Sequence, residues 1–116
     1  MSQIKLNIDN VFQLPAVPEA PANLSVKDKS DTSVTLTWKP PMSDGNSKIE
    51  GYVISMKTDD GEWKNIGLAK SLDKDFKVND LTTGKKYSFA VFAKNAVGDG
   101  PTIELKETIV LKKKAG

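Results

Sequence analysis

The sequence predicts an all-β fold, a two-layer antiparallel sandwich of seven short strands. Three observations predict it. Apolar and polar residues alternate in short runs, as in VTLTW and YSFAVFA, the period of a half-buried strand. Clusters of Gly, Asp, Asn and Pro separate these runs every ~8–12 residues, the rhythm of a sandwich or barrel. Nowhere does an apolar spacing of three and four persist for ~10 residues, so no helix is predicted.

Ile4, Leu6 and Ile8 alternate with Lys5, Asn7 and Asp9, a strand-like pattern set apart from the rest. It reads as the tail of a preceding unit, an added edge strand or a flexible start. The expected division takes the last reading: residues 1–17 form a flexible segment with a proline-rich linker, 18–112 the domain and 113–116 a tail. Pro15, Pro18 and Pro21 recur every third residue, the period of a polyproline II turn. Ligands of proline-reading domains usually carry a basic flank. Glu19 is the one charge nearby, so a semi-rigid linker is expected.

Leu24 and Val26, alternating with Ser25 and Lys27, open the first strand. Val34, Leu36 and Trp38 then share one face and Thr35 and Thr37 the other, β-branched residues that suit a pleated surface. Pro40 and Pro41 offer no N–H to a ladder, so this strand must stop there. Asp44–Gly45–Asn46 carries the chain across to the other sheet. Tyr52, Ile54 and Met56 face inward in the next strand, against Val53, Ser55 and Lys57. Asp59, Asp60 and Gly61 make a turn into EWKNIGL, a strand with Trp63 as its bulky member. Residues 72–78 end in Phe76 and Val78. Tyr87, Phe89, Val91 and Ala93 line one face of the sixth strand, and TIELKETIVL reads as a single last strand. The expected core residues are Trp38, Tyr52, Ile54, Leu81, Tyr87, Phe89 and Val91.

Composition narrows the chemistry. A chain of 116 residues makes one domain. It has no His and no Cys, which removes disulfides, zinc sites built on those ligands, and Ser–His or Cys–His nucleophile pairs. Carboxylates alone can bind metal or hydrolyse sugars, but a sandwich of this size leaves little room for the cleft they need. No catalysis and no cofactor are expected. All 17 basic residues are Lys and the net charge is +2. Without the bidentate fork of Arg, nucleic acid is not an expected partner. Lys112, Lys113 and Lys114 read as a solvated chain end. No apolar run is long enough to span a bilayer, and the first ten residues lack the apolar core of a signal peptide. The expected location is the cytoplasm, as a monomeric module without membrane contact.

PEAPANLSV, SVTLTWKPP, GYVISMK and LTTGKKYSFAVFAKNAVGDGP together resemble the fibronectin type III family, over about residues 18–112. The resemblance implies a seven-stranded antiparallel immunoglobulin-like sandwich with Trp38 at its centre. Leu81, Gly84 and Tyr87 have the spacing of its tyrosine corner, in which the phenol bonds backbone a few residues upstream. Gly84 suits the tight turn of that corner. The proline pair followed by SDGNSKIEGY, Trp63 beyond it, and Asn95, Gly98, Gly100 and Pro101 are similar to modules of the muscle giants titin, twitchin and myosin-binding protein C. Two positions depart from that pattern: Asn46 stands where a second glycine is usual, and Ala90 where an Arg is common.

The resemblance implies a non-catalytic spacer and scaffold in a large multidomain filament protein of the sarcomere. Its partners would be neighbouring immunoglobulin and fibronectin modules and myosin or other filament proteins. The alternative is an extracellular adhesion or receptor module binding protein ligands. AVGDGP holds no Arg, so it is not an Arg-Gly-Asp adhesion loop. Asp99 between two glycines, like Asp44, Asp59 and Asp60, reads as a turn former rather than a metal ligand. Phe92 shares with Ala90 the face turned away from the core, with Val53 and Trp63 nearby. This aromatic face is either a candidate partner surface or ordinary cross-strand packing. Asn23–Leu24–Ser25 is a glycosylation sequon, inert in the cytosol.

Overall fold

Alternation of inward apolar and outward polar side chains builds two antiparallel sheets in this computed structural model, which describes residues 14–59 and 61–113. The segment Ile4–Asp9, Asp60 and Lys114 lie outside the described residues. The strands are β1 (Ala22–Lys29), β2 (Val34–Lys39), β3 (Gly51–Thr58), β4 (Lys64–Lys70), β5 (Asp75–Val78), β6 (Lys86–Lys94), β7 (Asp99–Glu104) and β8 (Ile109–Val110). The smaller sheet has the order β1-β2-β5; the larger runs β4-β3-β6-β7, with β8 also paired to β6. The chain changes sheet between β2 and β3, where Pro40 and Pro41 end the first ladder. This is the immunoglobulin-like sandwich that the sequence predicts.

The sequence reading differs from the structure at two strands. TIELKETIVL is divided into β7 and β8. From Ala90↔Glu104 to Tyr87↔Ile109 the β7–β8 side advances five residues while β6 advances three. Two residues are therefore extra and leave the ladder near Lys106 and Glu107. Leu105 before the break and Ile109 and Leu111 after it are all buried, so the interruption preserves the inward face. The second difference is Trp63, which stands just before β4 rather than within it. A further irregularity follows, where Ile54 pairs with Gly67 but Ser55 pairs with Asn65, leaving Ile66 as the bulged residue.

Trp38, Tyr52, Ile54, Leu81, Tyr87, Phe89 and Val91 are all buried. Trp38 from one sheet meets Tyr52 from the other with ring centroids 5.4 Å apart and tilted by 55°, a favourable aromatic geometry across the layers. Burial pushes the Tyr52 phenol pKa up. The Trp38 Nε1–H is the one buried side-chain donor or acceptor without a hydrogen-bond partner among the described residues. Below this pair, the Tyr87 hydroxyl accepts from the Thr82 N–H at 2.8 Å, and Gly84 takes φ +89°. The side of the sandwich between β4 and β5 is closed by Phe76. Its ring lies so close to Gly67 that a Cβ there would overlap the ring.

Candidate functional site

The firm break after β2 builds a platform at the pole where the chain enters. Within it, Asp44 Oδ1 accepts from the Asn46 N–H at 2.9 Å and Ser43 Oγ from the Gly45 N–H at 3.2 Å, side-chain turns of the Asx and Ser type. Gly45 and Asn46 have φ of 76° and 60°, the left-handed region that Gly adopts freely and Asn tolerates. A Cβ on Gly45 would collide with the carbonyl oxygen of Ala16, and one on Gly100 with that of Pro18. Two glycines, one in the β2–β3 loop and one in β7, thus let the lead-in backbone lie directly on the domain.

Asn95 locks this arrangement. It is buried at 3% exposure in the turn that follows β6. Its Nδ2 donates to Ala16 O and Asp44 O, both at 2.8 Å, and more weakly to Ser47 O at 3.4 Å. Its Oδ1 accepts from the N–H of Val97 at 2.9 Å and of Gly98 at 3.2 Å. One amide therefore ties the lead-in segment, the β2–β3 loop and the β6–β7 turn together. Backbone bonds from Ala16 N to Gly45 O at 2.8 Å and from Glu19 N to Ser43 O at 3.0 Å complete the junction. Pro18 is fully buried, whereas Pro15 is exposed. Of the expected linker 1–17, the described end at residue 16 is thus bonded to the domain.

The outer face of the larger sheet gathers the three residues of the candidate partner surface. Register places Val53 opposite Phe92 on one side and Leu68 on the other, with Thr102 beyond Phe92. Val53 and Phe92 are half-buried, while Leu68 is 63% and Trp63 40% exposed. Trp63 joins Ser55, Ala90, Thr102 and Glu104 around an open hollow of about 180 Å³. Ala90 is small and central, and it is buried although it points outward. The cation on this part of the face is Lys57, whose Nζ lies 5.9 Å from the centroid of the Trp63 ring, within cation–π range. The outer face of the smaller sheet is different. Its paired rows Ser25–Thr37–Asp75 and Asp28–Thr35–Lys77 are polar throughout.

Two contributors were not singled out from the sequence. Leu68 belongs to the Val53–Phe92 row, but the bulge at Ile66 shifts the parity of β4 and hides the match. Asn95 stood out only as part of a motif, and its role depends on three loops that meet in space. Among the described residues, no group of three or more acidic side chains could hold a metal ion.

A family model described as the fibronectin type III domain matches residues 19–108. Human myomesin-2 is 33% identical over 95 residues, 81% of this chain and 6% of that protein. The mouse cell adhesion molecule DSCAML1 is 37% identical over 95 residues, again 81% of this chain and 4% of that protein. Among solved structures, the crystal structure of domains A168–A170 from titin superposes with a TM-score of 0.75 at 32% identity, covering 84% of this chain and 33% of that one. The chain therefore corresponds to a small part of the much longer proteins it matches.

Proposed function

The chain belongs to the fibronectin type III family, and from that premise we propose that it is a non-catalytic spacer and scaffold module of a multidomain muscle filament protein. The observation that carries this reading is the Asn95 lock on the lead-in segment. A module that only had to fold would have no need to bond the backbone that precedes it. A module working in series must fix the direction in which its neighbour is attached. Strands of up to nine residues give the unit a length of about 30 Å. Its neighbours in the parent chain are immunoglobulin or fibronectin modules. The outer face made by Val53, Trp63 and Phe92 is its surface for filament proteins, myosin among them, and its place is the sarcomere. Similarity to myomesin-2 and to the titin domains supports this assignment.

Stretching the chain by its two ends tests the spacer role. Residues 18–112 should yield in one cooperative step that releases about 300 Å of contour length. Gradual extension without a step would contradict it. The adhesion reading is favoured by the similarity to DSCAML1 and by the exposed Asn23 of the sequon. A glycan on Asn23 of the natural protein would establish that reading and remove the sarcomeric one.

A further inference from the structure

We propose that the outer face of the larger sheet is a docking site for an acidic amphipathic helix of a partner protein, lying along β3. The inference deepens the scaffold part of the reading above and rests on it.

The pattern of the face defines the ligand. At one end, register aligns Lys70, Gly51 and Lys94 in a single row. Gly51 has no side chain, so the two lysines flank a gap, and Leu68 Cδ1 leans to within 3.4 Å of where a Gly51 Cβ would be. Next comes the apolar row of Leu68, Val53 and Phe92, and further along β3 lie Trp63 and Lys57. Lys57 is six residues beyond Gly51, or about 20 Å along a strand. The face thus has cations at both ends and apolar side chains between them, of which Leu68 and Trp63 are exposed.

Charge complementarity selects an acidic partner. The one ion pair among the described residues is Lys27–Asp75, on the other sheet. Lys57, Lys70 and Lys94 therefore have no carboxylate within ion-pair distance among the described residues. Two carboxylates of this face lie on β7: Asp99 opposite Lys94 in the ladder and Glu104 beside the Trp63 hollow. The positive charge left over is that of Lys70 at the β4 side of one end and Lys57 at the other. A helix is favoured over an extended segment because the face is centred on β3 and β6, each of which has a neighbouring strand on both sides. Extended peptides gain their main-chain bonds at sheet edges, whereas a helix needs only a side-chain surface. About 20 Å corresponds to roughly 13 residues of helix. The partner then carries apolar residues at i, i+3, i+4 and i+7, with Glu or Asp near each end of that stripe.

The test is titration of the isotopically labelled full chain with two capped 14-residue peptides, one with leucines at those spacings and Glu at both ends, the other with each Glu replaced by Lys. The acidic peptide should shift the amide signals of Val53, Leu68, Lys70, Phe92 and Lys94. Raising salt from 50 to 200 mM should weaken it several-fold. Lys94→Glu and Leu68→Asp, both at accessible positions, should each weaken it about tenfold while leaving the rest of the spectrum unchanged. Equal binding of the Lys peptide, shifts confined to other surfaces, or no shift at millimolar peptide would overturn the proposal. So would two other occupants: shifts of these same signals on concentrating the protein alone mean a second copy, and a Trp63 emission change with anionic phospholipid vesicles but not with peptide means a membrane. Failure here leaves the lead-in lock standing, because that is read from different residues.

Discussion

The side-chain amide of Asn95 donates to the carbonyl of Ala16 at 2.8 Å, a bond that joins residues 79 positions apart in sequence. A single buried amide thereby makes the lead-in backbone part of the folded domain. Asn95→Ala removes that bond and the one to Asp44 O, together with the acceptor for two turn N–H groups. Leaving such groups unpaired should cost about 2–4 kcal/mol in urea-unfolding experiments. Asn95→Asp keeps the acceptor but replaces the donor, so it should be at least as destabilising. A loss below about 0.5 kcal/mol would show that the amide is dispensable.

Gly67 and Phe76 set a second test. A methyl at position 67 overlaps the Phe76 ring, so Gly67→Ala should destabilise by about 1–3 kcal/mol through overpacking. Adding Phe76→Leu should recover part of that loss, although the leucine fills less of the sandwich edge. Independent, additive effects in this double-mutant cycle would contradict the contact.

The two tryptophans should behave differently. Trp38→Ala empties the centre of the core and should cost about 3–5 kcal/mol. Trp38→Phe should cost much less, because it also removes the N–H that lacks a partner. At the half-covered Trp63, replacement by Ala forfeits one cation–π contact and some apolar cover, so the cost should be about 1 kcal/mol. Thermal unfolding of the three variants gives the ranking.

Tyr52 predicts how the protein responds to alkali. Burial raises its phenol pKa above the ordinary tyrosine value, so the neutral form is favoured in the folded state. Its contribution is fully present below about pH 10, the unfolded value, and is lost as pH rises from there through the folded pKa. Stability measured from pH 8 to 11 should fall near the upper end. Tyr52→Phe should flatten that decline.

Much of this fold is legible in the residues themselves. Val34, Leu36 and Trp38, and likewise Tyr87, Phe89, Val91 and Ala93, declare their inward faces by strict alternation. The prolines at 40 and 41 mark the change of sheet. What escapes the sequence is pairing. The two extra residues near Lys106 preserve parity, so hydrophobic periodicity does not register them, whereas the single bulged residue Ile66 flips the parity of a short, weakly patterned strand. Of the candidate partner face, the row of Val53 and Phe92 is legible because β3 and β6 pair without interruption, and Trp63 is legible as an aromatic nearby, but Leu68 beyond the bulge is not. Asn95 is harder still: nothing local distinguishes an amide that collects three loops from one that caps a single turn.

Amide hydrogen exchange at Ala16 and Glu19 tests the central claim most directly. Both N–H groups donate to the β2–β3 loop, to Gly45 O and Ser43 O. If the lead-in segment is locked to the domain, both should exchange at least about 100-fold more slowly than in an unstructured chain, and Asn95→Ala should abolish that protection while the amides of β6 keep theirs. Unprotected exchange at both positions in the unaltered protein would mean that the segment hangs free, and the module could not fix the direction of a neighbour.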